Sequence, residues 1–215
     1  MIKKYFLLNA LFILSVTSYS EPLDPVKLLS NYVGIDTVNP PGNESRAVDF
    51  YAKIFEEEGI EFSSAESAPG RGNIWARIKG GDLPALILLQ HTDVVPATKK
   101  YWDTDPFVAE IKDGYLYGRG VIDMKGAGIS QLVSFIRLHR SGLSLNRDVV
   151  FVATADEEAG GMFGAGWLID NHPEIFEGAG FVINEGGSGQ IIDGEKVFAI
   201  EITQKVPVWL RFTAV

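Results

Sequence analysis

The 215-residue chain contains no cysteine. Disulfides therefore play no part in its stability, and thiolate metal ligands and a cysteine nucleophile are excluded. Basic residues are also scarce, because 19 lysines and arginines stand against 28 aspartates and glutamates, for a net charge of −9. No basic stripe is available to neutralise phosphates, so the composition argues against a nucleic-acid partner.

The chain also lacks an apolar run of the roughly 20 residues that a membrane span requires. The apolar stretch at residues 5–16 is shorter, follows two lysines, and precedes the small residues Ser18 and Ser20. This arrangement is typical of an export signal. We expect residues 1–20 to be a cleaved signal peptide and the protein to be periplasmic or secreted, with no stable membrane insertion afterwards. The alternative is an uncleaved anchor.

The hydrophobic pattern predicts helices that alternate with strands. Helices are predicted at residues 24–32, 45–58, 126–139 and 163–169, with Asn43 or Ser45 as the N-cap of the second. Strands are predicted at residues 73–78, 85–89, 114–117, 149–153, 181–183, 196–203 and 206–215, the last two as an antiparallel pair. The runs at 85–89, 149–153 and 181–183 are continuously apolar, which is typical of buried strands. The pattern predicts an α/β fold with a mostly parallel, mixed sheet and helices on both faces.

Six ionisable residues follow the ends of these apolar runs. They are His91, Asp93, Asp123, Glu157, Glu158 and Glu185. In an α/β sheet, the carboxyl ends of the strands are where ligands bind. Carboxylates a few ångströms apart cannot all ionise unaided, so such a cluster needs a cation or shared protons. The sequence therefore predicts a metal site with more than one metal.

Only one of the three histidines lies at a predicted strand end. A lone histidine there is more often structural, but side chains two residues apart in an extended segment share a face. Asp93 can therefore accept a hydrogen bond from one ring nitrogen of His91 and leave the other nitrogen for metal. His139 ends a predicted helix and His172 lies in a proline-terminated turn, and we interpret both as structural.

Asp123 lies between the Gly118-x-Gly120 pair and the predicted helix at 126–139. The two glycines suggest a dinucleotide-binding loop, but Asp123 occupies the expected third glycine position and would repel a pyrophosphate. Asp123 alone also fits a helix N-cap. A carboxylate that bridges two cations fits the same place, so both interpretations stay open.

Glu157 and Glu158 come directly off a predicted buried strand, and Glu185 follows another. Taken singly, acids in such loops are most often only solvated. Adjacent carboxylates beside a metal can instead divide two tasks, one binding the cation and the other handling a proton.

Four short motifs, in this order, resemble those of the dinuclear zinc hydrolases. They are HTDVVP at residues 91–96, GRGVIDMKG at 118–126, DEE at 156–158 and NEGG at 184–187. That family includes glutamate carboxypeptidase, acetylornithine deacetylase, succinyl-diaminopimelate desuccinylase, aminoacylase and carboxypeptidase S. The resemblance runs from about residue 25 to the last residue, and four ordered motifs make it specific.

The resemblance implies a role for each site residue. Metal ligands would be His91, Asp123, Glu158 and Glu185, with Asp123 shared by two Zn²⁺ ions and Co²⁺ or Mn²⁺ as substitutes. Asp93 would orient His91, and Glu157 would act as general base and then as general acid. The implied reaction is hydrolysis of an amide bond in a small peptide or an N-acyl amino acid. The Asp123–Met124 peptide bond is expected to be cis.

The family pattern is incomplete in these 215 residues. We expect residues 21–215 to be the N-terminal part of a zinc-exopeptidase-like catalytic domain, without the lid domain and the C-terminal part that supply two further histidines. A homodimer is then expected only for a full-length protein. The alternative is a catalytically inactive, truncated remnant that binds metal or a partner. Another metalloenzyme class, such as a phosphatase, would need more histidines in the metal loops than His91 alone.

Overall fold

The computed structural model describes residues 22–186 and 188–199, together with Leu210, Phe212 and Thr213. The predicted signal peptide at 1–20 lies outside the described residues, and so does the predicted strand at 206–215 apart from those three positions. None of the described helices combines the length and the apolar character that a membrane span requires.

Four α-helices and nine strands make up the described structure. The helices are α1 (Pro25–Val33), α2 (Ser45–Glu58), α3 (Gly126–Ser141) and α4 (Ala165–Asn171). The first five strands are β1 (Phe62–Glu66), β2 (Gly72–Ile78), β3 (Leu83–His91), β4 (Glu110–Lys112) and β5 (Tyr115–Tyr117). The others are β6 (Arg147–Thr154), β7 (Ala179–Ile183), β8 (Ser188–Ile192) and β9 (Glu195–Ala199).

The central sheet has five strands in the order β1-β2-β6-β3-β7. Strand β3 pairs in parallel with β6 and with β7, whereas β2 is antiparallel to both β1 and β6. The α/β class is confirmed, and the sheet is evenly mixed. The parallel half is the part that matters for the site, because parallel neighbours end at the same edge of a sheet.

Helix α2 begins and ends where the hydrophobic pattern predicts, but its N-cap differs from the prediction. Asn43 or Ser45 is the expected cap, and the structure places Glu44 there with no side-chain capping bond. The hydroxyl of Ser45 instead donates to Glu66, and the carboxylate of Glu44 pairs with Arg71. Gly59 ends the helix with a left-handed φ of 64°, a conformation that glycine adopts without a Cβ penalty.

Apolar side chains pack on both faces of the sheet, as predicted. On one face an aromatic cluster forms around Phe151, whose ring centroid lies 5.4 Å from Tyr51, 5.5 Å from Phe55 and 5.7 Å from Phe135. On the other face, Val150 and Val152 pack with Leu168 of α4. Because β6 contributes to both layers, it is the central strand of the core.

A buried strand is predicted at residues 181–183, and the structure has the strand but not the burial. Phe181, Val182 and Ile183 do form β7, but they are 60, 55 and 49% exposed. The reason is position, because β7 is an edge strand of the described sheet. The predicted pairing of 196–203 with 206–215 lies outside the described residues, and β9 pairs with β8 in a separate hairpin.

Replacing Phe151 with alanine should destabilise the protein by about 3–5 kcal/mol, because the ring is fully buried and leaves a cavity. Chemical denaturation followed by circular dichroism measures the loss. Leu143→Ala, at a position that is 68% exposed, is the control and should change the free energy of unfolding by less than about 0.5 kcal/mol. Equal losses in the two variants would contradict this account of the core.

Candidate metal centre

The parallel pairing of β3 brings the predicted site residues to one edge of the sheet. His91 is the last residue of β3 and lies opposite Thr154, the last residue of β6. Glu157 lies three residues after the end of β6 and is therefore close to His91 at the end of β3. On the other side, Ile183 lies opposite Leu88, so that Glu185 also reaches the level of His91.

Asp123 reaches the same edge from a helical turn at Val121–Lys125, immediately before α3. The turn is attached to β3 because the backbone N–H of His91 donates to Sδ of Met124 at 3.3 Å. It is attached to the end of α1 and to the loop that follows because Nζ of Lys125 donates to the carbonyls of Tyr32 and Ile35 at 3.0 and 2.8 Å. The Asp123–Met124 bond is cis.

The N-cap interpretation of Asp123 is wrong. Helix α3 begins after Lys125 without a side-chain capping bond. Asp123 itself adopts non-helical φ and ψ angles of −117° and 100°. Its carboxylate faces the imidazole of His91 instead.

Carboxylates converge on Nε2 of His91. Asp123 Oδ1 lies 3.0 Å from this nitrogen, Glu185 Oε2 lies 3.2 Å away, and Glu157 Oε2 lies 3.8 Å away. The potential ligand atoms form two sets, and within each set they all lie within 4.8 Å of one another. One set is His91 with Glu157 and Glu185, and the other is His91 with Asp123 and Glu158. The structure thus brings all the predicted metal-binding residues together.

The other ring nitrogen of His91 faces Asp93. Nδ1 lies 3.0 Å from the backbone oxygen of Asp93 and 3.4 Å from its carboxylate Oδ1. We expected Asp93 to orient the ring, and its backbone carbonyl makes a shorter contact than its carboxylate. The carboxylate has a further task, because it accepts hydrogen bonds from the backbone N–H groups of Glu157 and Glu158, each at 3.1 Å.

The acids of this cluster carry more negative charge than the neighbouring side chains balance. Burial raises the pKa of Glu158 to about 7, with the charge of Asp123 adding to the effect. Burial and the charges of Glu157 and Asp123 likewise raise the pKa of Glu185. Both shifts favour the protonated acids unless a cation is present. The residues therefore fit divalent cations, since carboxylate oxygens and a neutral imidazole are ligands that zinc accepts.

His91 differs from these acids because it is nearly buried, with 2% of its side chain exposed. Burial alone lowers its pKa, but the hydrogen bond to Asp93 and the charges of Asp93, Glu185 and Glu157 outweigh burial and raise the pKa to about 10. The same hydrogen bond helps to lower the pKa of Asp93, against its burial. Without a cation, the ring carries the positive charge that the surrounding acids need.

One imidazole nitrogen binds one cation, although His91 is common to both sets of ligand atoms. If His91 and Glu185 hold one ion, the second ion has Asp123 and Glu158 among the described residues. A structural zinc site usually has four ligands and a catalytic one has three. The described residues therefore leave the second position short of protein ligands, as the resemblance implied.

The remaining histidines lie outside both sets of described ligand atoms. His172 is packed between Trp75 and Trp167, with ring centroids at 5.0 and 5.2 Å, and its Nδ1 lies 3.1 Å from Glu174 Oε1. His139 lies in the last turn of α3. Their structural interpretation agrees with these positions.

A buried polar network behind the site was not predicted. Its members are Asn39, Glu44, Arg71 and Asp156, all at most 8% exposed. Asp156 adjoins the two glutamates, and Asn39 precedes the Pro40-Pro41 turn, so each had a weak local signal. Nothing in the sequence pattern distinguishes Arg71 from the other arginines, because its partners are distant in the chain.

A model of peptidase family M20/M25/M40 matches residues 87–209. The chain belongs to this family. It is 33% identical to aminoacylase-1 of Homo sapiens over 193 residues, which are 88% of the chain and 46% of that relative. It is 31% identical to succinyl-diaminopimelate desuccinylase of Ehrlichia canis over 163 residues, which are 71% of the chain and 41% of that relative.

Solved structures confirm the fold of this M20 chain. Human carnosine dipeptidase 1 matches with a TM-score of 0.57 and 26% identity, over 74% of the chain and 37% of that protein. The M20 metallo-carboxypeptidase Sso-CP2 from Sulfolobus solfataricus matches with a TM-score of 0.66 and 23% identity, over 78% of the chain and 38% of that protein. The chain spans less than half the length of the relatives named here.

Replacing Asp93 with asparagine should lower the pKa of His91 from about 10 toward the ordinary value of about 6.5, because the carboxylate charge beside Nδ1 is lost. An NMR titration of the imidazole in cation-free protein measures the shift. Asp105→Asn, in an exposed loop, is the control and should leave the pKa of His91 unchanged. An unaltered His91 in Asp93→Asn would show that Asp93 does not set the charge of the ring.

Proposed function

We propose that the protein is a metal-dependent hydrolase that cleaves an amide or peptide bond in small peptides or N-acyl amino acids. The observation that carries the proposal is the convergence of Asp123, Glu185 and Glu157 on Nε2 of His91. Membership of the M20 family supports it, since aminoacylase-1 and a dipeptidase are among the relatives.

The proposed cofactor is a pair of Zn²⁺ ions, with Co²⁺ or Mn²⁺ as substitutes. His91 and Glu185 would hold one ion, Glu158 the other, and Asp123 would be shared between them. Such cations, when bound, acidify water and polarise the carbonyl oxygen of an amide. They would also offset the acidic cluster, whose members Glu158 and Glu185 have raised pKa values in their absence.

Glu157 is proposed as the residue that moves protons. Its side chain is half exposed, so it can reach a substrate, while its Oε2 lies 3.8 Å from Nε2 of His91. The carboxylate would take a proton from water and return it to the nitrogen of the leaving amine. Its backbone N–H is held by Asp93 at 3.1 Å, which fixes the start of the side chain.

The location and assembly belong to the same proposal. We propose that the protein is exported to the periplasm or secreted, which the pattern of residues 1–20 supports.

Proposed substrates follow the names of the relatives, which include an aminoacylase and a dipeptidase. A homodimer is proposed only for a longer protein, because the chain spans 46% of its aminoacylase relative.

A second candidate function is metal or partner binding without catalysis. The observation that favours it is the shortage of ligands at the second position, where Asp123 and Glu158 are the described residues that remain once His91 holds the first ion. Purified 215-residue chain tested with Zn²⁺ on a panel of dipeptides and N-acetyl amino acids separates the two. Hydrolysis supports the enzyme, and zinc binding without hydrolysis, by this chain and by a longer protein that contains it, supports the second candidate.

In a full-length protein that hydrolyses these substrates, Glu157→Gln should reduce hydrolysis by about 10²–10⁴-fold, because the amide cannot accept a proton. Its zinc content, measured by atomic emission, should match that of the wild type. Glu56→Gln, on the exposed face of α2, is the control and should keep full activity. Loss of zinc in Glu157→Gln would mean that Glu157 is a ligand, and full activity would contradict its proposed role.

A further inference from the structure

We propose that Arg71 is a positioning residue for the candidate metal centre. Together with Glu44, Asp156 and Asn39, its guanidinium holds the loop that carries Glu157 and Glu158 against Asp93. The inference concerns the geometry of this loop, and only its consequence for cation binding rests on the proposed function.

The guanidinium of Arg71 lies at the centre of the buried network. Nη2 donates to Asp156 Oδ1 at 2.6 Å and forms an ion pair with Glu44 Oε1 at 2.9 Å. Nη1 donates to the carbonyl of Pro41 at 3.0 Å and to Asn39 Oδ1 at 3.3 Å. The planar fork of an arginine can satisfy several acceptors at fixed angles, which the point charge of a lysine cannot.

The network is shielded from solvent, so its charges interact strongly. The side chains of Arg71, Asp156 and Glu44 are 9, 5 and 0% exposed. Removing the guanidinium would leave two buried carboxylates without this partner, which is strongly unfavourable. Buried acids without a partner move toward water, and such a movement changes the position of Asp156.

Asp156 is the second residue after β6 and has a left-handed backbone, with a φ of 68°. Non-glycine residues rarely adopt this conformation, so the surrounding contacts must impose it. Its N–H donates to Glu44 Oε1 at 3.2 Å, and its Oδ2 accepts from the N–H of Phe163 at 3.1 Å. Glu44 and Arg71 therefore hold Asp156 by its backbone and by its side chain.

Asn39 links this network to the metal-binding residues. Its Nδ2 donates to Asp93 Oδ2 at 2.8 Å and to Asp156 Oδ1 at 3.2 Å. Asp93 in turn accepts the N–H groups of Glu157 and Glu158. The loop is thus held at Asp156 by Arg71 and at the next two residues by Asp93, with Asn39 between the two anchors.

The guanidinium of Arg71 packs directly against Gly42, where a side chain would collide with it. A Cβ at Gly42 would lie 2.4 Å from Nη1 of Arg71, and the residue has a φ of +84°. The turn after Pro41 therefore closes directly over the arginine. Arg71 is too deeply buried to contact a substrate, so its influence on the site must pass through Asp156 and Asn39.

Arg77 provides a matched control on the same region of the chain. It lies in β2, pairs with Asp148 at 2.8 Å and donates to the carbonyl of Ile175 at 2.8 Å. Its contacts resemble those of Arg71 in kind, but they do not include Asp93, Asp156 or the metal-binding residues. Loss of Arg77 therefore reports the cost of removing a partly buried ion pair elsewhere.

The test compares Arg71→Met and Arg71→Lys with Arg77→Met and Arg77→Lys in the 215-residue chain. The first readout needs no metal: hydrogen exchange of the backbone amides of Glu157, Glu158 and Phe163 by NMR. We expect exchange at these amides to become at least about tenfold faster in Arg71→Met and to change less in Arg71→Lys, whereas the Arg77 variants keep wild-type rates there.

The second readout is titration with Co²⁺ followed by its visible absorption. We expect Arg71→Met to weaken binding by about 10–100-fold and to alter the spectrum, as for loss of a residue that orients metal ligands. If Arg71→Met does not fold, Arg71→Lys against Arg77→Lys decides. Wild-type exchange rates in a folded Arg71 variant overturn the inference. A wild-type chain that binds no Co²⁺ contradicts the proposed function instead, and the exchange rates still decide the role of Arg71.

Discussion

The buried carboxylate of Asp93 is the contact on which the candidate site depends. Its two oxygens accept hydrogen bonds from the amide of Asn39 and from the backbone of Glu157 and Glu158, while the imidazole of His91 lies against it. One side chain thus favours the charged form of the histidine that ends β3 and holds the backbone of the proposed base. An ionised carboxylate with no exposed surface is stable there because each of these neighbours compensates its burial.

The side chains around Asp93 form two layers, one buried and one accessible to solvent. Asn39, Glu44, Arg71 and Asp156 lie behind it and are nearly buried. In front of it, the carboxylates of Asp123, Glu157 and Glu185 are 58, 49 and 31% exposed. A buried layer joined by ion pairs and hydrogen bonds can hold the outer acids close together despite their repulsion, which is the arrangement that divalent cations require. The chemistry that we propose depends on this division.

The candidate site could be predicted well from sequence because its residues lie in short motifs at strand ends. The sequence pattern alone predicts one cluster that contains His91, Asp93, Asp123, Glu157, Glu158 and Glu185, since parallel strands end at one edge. The burial of β7 could not be predicted in the same way. An apolar run such as 181–183 has the same pattern in a central strand and in an edge strand, and its neighbours depend on the rest of the sheet.

The sequence by itself determined the α/β class, the order of the motifs and the acidic cluster that needs cations. The class follows from the spacing of apolar residues along the chain, and the acidic cluster follows from charged residues placed just after the predicted strands. Only the tertiary structure decided that the backbone of Asp93 contacts His91, that Asp123 does not cap α3, and that Arg71 lies behind the site. Arg71 and Asp156 are 85 residues apart in the chain. Their contact arises from folding of the whole sheet, so no local pattern could reveal it.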